Sequence, residues 1–114
     1  MSTKTKIFTI IFTILVIAIS ISLVVGFQKL KDLHLEEIGL VITSMEGKVI
    51  EVDEVNPVYS PYEDESDRSN IIYKITYEKS GEQLIAWYRA INQVNNIHDE
   101  TFPFGEEWIF EENE

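Results

Sequence analysis

The side chains best suited to chemistry in this sequence are Trp87, Tyr88 and Arg89, accompanied by Tyr59, Tyr62 and Trp108. Trp, Tyr and Arg dominate binding hot spots, because each joins a large apolar body to a polar end. On a strand, alternation sends Trp87 and Arg89 to one face and Tyr88 to the other. Two readings follow. The group forms a partner-binding surface, or Trp87 belongs to the core. In the second case Arg89 stacks on it as a cation–π pair, or makes an internal ion pair that offsets nearby carboxylates.

Other reactive side chains are few. His34 and His98 are the two imidazoles, and neither has a partner at metal-ligand spacing. His98-Asp99-Glu100 puts two carboxylates beside one of them, but a metal site there needs further donors from elsewhere in the fold. The plain alternative is a surface histidine in a loop. Glu63, Asp64, Glu65 and Asp67 offer oxygens to Ca²⁺, which takes roughly 6–8. They lack the glycine and terminal glutamate of an EF-hand loop, so they read as a solvated acidic segment. Cysteine is absent, which excludes disulfides, thiol nucleophiles and a lipidated N-terminal cysteine. No serine sits in a nucleophile elbow, and no glycine-rich loop would cradle a phosphate. The sequence therefore predicts no catalytic residue, no cofactor and no metal ligand.

What positions these side chains begins with residues 7–25, a run of 19 without charge, proline or glycine. A bilayer core about 30 Å thick needs roughly 20 such residues as a helix. As a core helix the run would need burial on all sides, and an acidic remainder of about 85 residues cannot wrap it. A cleaved signal peptide has an apolar stretch of roughly 7–15 residues and a small-residue cleavage site. Ala18-Ile19-Ser20 and Val24-Val25-Gly26 match that rule loosely, and the run is longer. An uncleaved single-pass transmembrane helix in contact with membrane lipid is the expected form. Lys4, Lys6 and the terminal amine precede it with no opposing acid, whereas Lys29 and Lys31 are offset by Asp32, Glu36 and Glu37. The positive-inside rule counts lysines and arginines, two on each side here, so the terminal amine tips it toward keeping residues 1–6 as a cytoplasmic tail and exporting the rest of the chain from the cell membrane.

Charge divides at the same place. All 20 acidic residues lie at Asp32 or later, against five basic ones, so this part carries −15 of a total of −11. Such a surface repels nucleic acid and anionic headgroups and admits a basic protein or a cationic peptide. The alternative is acidity that only keeps a small domain soluble.

Residues 26–47 read as a juxtamembrane helix. Leu35, Ile38, Val41, Ile42 and Met45 share one face, Glu36, Glu37 and Glu46 lie away from it, and Gly47 is placed as the C′ cap. The competing reading breaks the helix at Gly39 and makes residues 40–44 a strand, as the β-branched Val41-Ile42-Thr43 would prefer. Residues 48–55 read as a strand ending at the Asn56-Pro57 turn signal. Residues 71–77 alternate, with Ile71, Tyr73, Ile75 and Tyr77 on one face. Glu78-Lys79-Ser80-Gly81 reads as a hairpin loop, and residues 83–91 as a central return strand, apolar on both faces. Residues 60–70 form a charged, mobile connection without an aliphatic residue, residues 92–101 a loop, and residues 108–110 read as a short closing strand or a last turn of helix. The expected fold is α+β: a transmembrane helix, then residues 48–114 as a small antiparallel β domain packed on the juxtamembrane helix. An all-β meander is the alternative.

The segments Gly47-Lys48-Val49-Ile50-Glu51-Val52, Ile72-Tyr73-Lys74-Ile75 and Gly81-Glu82-Gln83-Leu84-Ile85-Ala86 follow one another as helix end, strand and return strand. This order over about 45 residues resembles the PepSY-type and related cystatin-like small domains of bacterial envelope proteins. The resemblance implies a membrane-tethered regulatory or inhibitory module, with no catalytic residue to carry over. A second function from the sequence is an accessory subunit that acts on a membrane complex through its helix, with Ala18, Ser20 and Ser22 as the small residues available for packing.

Overall fold

The computed structural model describes residues 2–111, the side chain of Phe27 apart. Residue 1 of the expected cytoplasmic tail and residues 112–114 of the expected exported domain lie outside the described residues.

One helix, α1 (Thr3–Ser44), runs through everything the sequence divides into transmembrane and juxtamembrane parts. Ser2 caps it by accepting the Thr5 N–H. Its first half exposes every large apolar side chain from Ile7 to Val25, by 46% to 70%. Its second half buries Leu30, His34, Ile38 and Ile42, one at every fourth residue, so a single stripe faces the sheet. Leu35, Val41 and Met45 flank that stripe half-buried. The helical reading of residues 39–44 holds, because burying Ile38 and Ile42 outweighs the weak β preference of Val41-Ile42-Thr43. Glu37 departs from expectation: it is half-buried beside the stripe, not turned away from it.

The helix ends in a Schellman turn. Glu46 N–H donates to the Thr43 carbonyl at 3.0 Å, and Gly47 N–H to the Ile42 carbonyl at 2.8 Å. The left-handed residue is Glu46 (φ 64°), so the C′ position expected for Gly47 belongs to its neighbour. Gly47 is required for space. A Cβ there would sit 2.9 Å from Ile42 Cγ2 and 3.2 Å from Tyr77 Cδ2.

Four strands then form an antiparallel meander in chain order: β1 (Lys48–Val55), β2 (Asn70–Lys79), β3 (Glu82–Ile91) and β4 (Glu107–Phe110). A bulge between Val49 and Glu51 shifts the β1 register. The β2–β3 hairpin closes through Ser80 (φ 54°) and Gly81 (φ 80°), both left-handed as a type I′ turn requires. The loop is thus two residues, and the strands extend further than expected. The front of the sheet presents Tyr73, Ile75, Tyr77, Ala86, Tyr88 and Ala90 to Ile38 and Ile42 of the helix. The back carries a second core of Tyr62, Ile72 and Trp87, edged by Val55, Ile85 and Ile109. The layout is α+β, with one helix long and apolar enough to cross a membrane.

Candidate functional site

The six aromatic and arginine candidates separate. Pairing aligns Tyr73, Tyr88 and Trp108 across β2, β3 and β4 on the front face. Their rings stack, at 6.2 Å from Tyr73 to Tyr88 and 4.7 Å from Tyr88 to Trp108, and Phe110 continues the row at 5.4 Å from Trp108. The helix covers Tyr73 and Tyr88, so Tyr88 is buried, while Trp108 is half-buried and Phe110 is exposed at the β4 edge. Trp87 and Arg89 belong to the back face. There the 60–70 segment, which composition marks as a charged connection, lays Tyr62 flat on the sheet with no exposed surface. The Tyr62 hydroxyl lies 3.1 Å from the Glu107 carbonyl and 3.4 Å from the Trp87 carbonyl. Tyr59, by contrast, is 78% exposed and joins none of the others.

Arg89 is a structural residue. Its guanidinium donates to the carbonyls of Gly105 (2.7 Å) and Glu65 (2.9 Å) and pairs with Glu107 at 3.3 Å. It lies over the rings of Tyr62 and Phe104 at 5.2 and 5.6 Å. The expected ion pair is present, but the stacking partner is Tyr62 and not Trp87. Trp87 instead receives Lys74 at 5.9 Å and donates its indole N–H to Glu111 at 2.8 Å. These contacts sew the loop and the β3–β4 edge to the back of the sheet, leaving Trp108 and Tyr59 as the candidates that reach solvent.

The histidines part company in the same way. His34 lies on the buried stripe of α1 with no exposed surface, 2.8 Å from the Tyr73 hydroxyl and 3.0 Å from the Ile91 carbonyl. A carbonyl can only accept, so Nε2 carries the proton and Nδ1 accepts from Tyr73. Burial holds this imidazole below its ordinary pKa, keeping it neutral. Its place was readable in the sequence, because the fourfold step through Leu30 and Ile38 includes it.

His98 sits in the 92–106 loop on the front side. Its acidic sequence neighbours are not its partners: Asp99 binds the backbone and hydroxyl of Thr101 instead. Its partners are Glu106, hydrogen-bonded to Nδ1, and Glu37 of α1, 3.8 Å from Nε2. Glu106 holds a second bond, from the buried Tyr88 hydroxyl at 2.5 Å. The Glu106 hydrogen bond, reinforced by the nearby carboxylate charges, raises the His98 pKa above its usual value. Burial raises that of Tyr88, with Glu106 adding to it, so Tyr88 stays a donor. Helix, loop and sheet meet in this cluster. Arg89 and His98 lie on opposite faces of the sheet, so they do not converge on one carboxylate. No protein-family model, no curated protein and no solved structure matches this chain.

Proposed function

We propose that the protein is a single-pass, membrane-anchored, non-catalytic module, with its N-terminus in the cytoplasm and its folded domain in the extracytoplasmic cell envelope. There it binds a basic protein or cationic peptide as a regulator, inhibitor or immunity-type factor. The observation that carries this reading is the exposed half of α1. Fourteen large apolar side chains stand free of the domain. At roughly 1.5–3 kcal/mol for each side chain fully transferred, and with these 46% to 70% exposed, leaving them in water costs on the order of 10–25 kcal/mol. A bilayer removes that cost. The −15 carried by residues 32–114 supports a cationic partner, and the resemblance to small envelope domains implies a membrane-tethered regulatory or inhibitory module.

Protease treatment of intact cells, with a tag at each end, tests the topology. Loss of the C-terminal tag and survival of the N-terminal one supports the proposal. A protected C-terminal tag would overturn the orientation, and a shortened secreted product would convert the anchor into a leader. Partner capture at rising salt tests the electrostatics, since exposed charges are screened within about 8 Å at physiological ionic strength. Association that does not weaken with salt would remove the basic partner.

The accessory-subunit reading places function in the helix itself. The Ser20 and Ser22 hydroxyls already donate to the carbonyls of Val16 (2.9 Å) and Ala18 (3.0 Å), so they are not idle donors awaiting a neighbouring helix. Replacing residues 7–25 with an unrelated apolar helix separates the readings: retained function favours the exported module, and lost function favours the helix.

A further inference from the structure

Glu37 comes from the packed half of α1, and His98 and Glu106 come from the middle and the end of the 92–106 loop. One donor atom from each lies within 4.8 Å of the others. Nothing in the proposed partner-binding role uses this cluster. As an ion-pair network it is unbalanced, because two carboxylates meet one imidazole and an excess negative charge remains even when His98 is protonated. A cation of higher charge fits that deficit better than a proton.

The donors say which cation. Imidazole with carboxylates suits zinc and similar transition ions, whereas Ca²⁺ and Mg²⁺ prefer all-oxygen shells of higher number. Tetrahedral bonds of about 2.0–2.1 Å place neighbouring donors roughly 3.3 Å apart. Glu37 lies 3.8 Å from His98 Nε2, near that spacing, while Glu106 meets the other ring nitrogen, Nδ1. His98 has a 53% exposed side chain, so its ring can turn toward both carboxylates. Glu106 is held from behind by the buried Tyr88 hydroxyl, the kind of outer contact that orients a metal-binding carboxylate. Three protein donors leave a fourth position open to water on the solvent side.

We infer that Glu37, His98 and Glu106 form a zinc-type divalent transition-metal site that fastens the 92–106 loop to α1. The loop gives this fastening a purpose. Its interior hydrogen bonds are local, such as Asn95 to Gln93, His98 to Asn96 and Thr101 to Asp99. At its start Asn92 and Val94 lie beside Leu30 of α1, and further along His98 is its polar contact with the helix, through Glu37.

The test uses the tag-free, metal-stripped full chain in detergent micelles, titrated calorimetrically with Zn²⁺ and, separately, Ca²⁺ and Mg²⁺. The expected result is about one zinc per chain, bound more tightly than Ca²⁺ or Mg²⁺, with an accompanying rise in the domain's Tm. H98A and E37Q should each weaken zinc by about tenfold or more and abolish that rise, while E63Q in the acidic loop changes neither. The His98 side chain is exposed, and near-ultraviolet circular dichroism of the metal-free variants verifies that each is folded. No zinc binding, equal affinity for Ca²⁺, unchanged affinity in H98A and E37Q, or equal loss in E63Q would each overturn the site. These outcomes leave the membrane and partner proposals standing, since neither depends on a metal.

Discussion

The two halves of α1 are the same secondary structure built for different surroundings. From Ile7 to Val25 the helix is apolar all round and its large side chains are exposed; from Leu30 to Met45 it is apolar on one stripe, and a sheet covers that stripe. The contrast shows that helical continuity does not require a common source of stability. The first half depends on composition alone, so any of its faces can point anywhere. The second depends on the position of four residues, so each has one acceptable orientation.

Substitutions can break this comparison or sharpen it, most easily in denaturant titrations in micelles, followed through Trp87 and Trp108, which both lie in the folded domain. The largest contrast is between equivalent truncations in the two halves. Ile42→Ala removes a fully buried side chain and should cost about 2–5 kcal/mol. Ile14→Ala should leave the unfolding of the domain within about 0.5 kcal/mol. Equal effects would mean that the exposed half also packs on the domain. Next comes Gly47→Ala, where the new methyl meets Ile42 and Tyr77; overpacking predicts a loss of about 1–3 kcal/mol in the same titration.

A smaller effect comes from acid. Burial holds the His34 pKa below the ordinary 6.5, so the unfolded chain binds a proton that the folded one refuses. Stability from this group is therefore present above about pH 6.5 and lost as the pH falls below it, by at most about 1.4 kcal/mol per pH unit. His98, with its raised pKa, acts in the opposite direction: its contribution is present in acid and lost as the pH rises through its folded value. The slope between pH 6.5 and 5.5 should become shallower in His34→Gln; an unchanged slope would show that His34 is not held neutral. The smallest effect is a gain. Gly39 lies inside the packed half with open space where a Cβ would go, so Gly39→Ala should stabilise by about 0.5–1 kcal/mol in the same titration.

Much of the sheet was legible because period-two alternation survives in the side chains. Tyr73, Ile75 and Tyr77 announce a covered face, and the doubly apolar strand through Trp87 announces burial on both sides. The continuity of the helix was harder to read, because Val41-Ile42-Thr43 favour a strand locally and only the tertiary burial of Ile38 and Ile42 settles it. Tyr62 was obscured by its surroundings, since the acids beside it mark a solvated loop while the ring turns back onto the sheet. Residue type left Trp87, Tyr88 and Arg89 open between a partner-binding surface and interior packing with an ion pair. Residue type does not distinguish a hot spot from an interior anchor, and here it marked anchors. The Glu37–His98–Glu106 cluster left no spacing to find, because its members meet only when the loop folds against the helix. The acids next to His98 in sequence pointed elsewhere.

The unbroken passage of α1 from its exposed half into its packed half makes the chain a rigid shaft, not a bead on a tether. Each residue added to a helix advances it by about 1.5 Å and turns it by about 100°. A single alanine inserted near Gly26 would keep the composition of both halves while swinging the sheet through more than a quarter turn around the shaft. Four inserted residues would nearly restore its heading about 6 Å further out. If the domain acts on a neighbour fixed in the same surface, its activity should follow that angular phase instead of the distance alone.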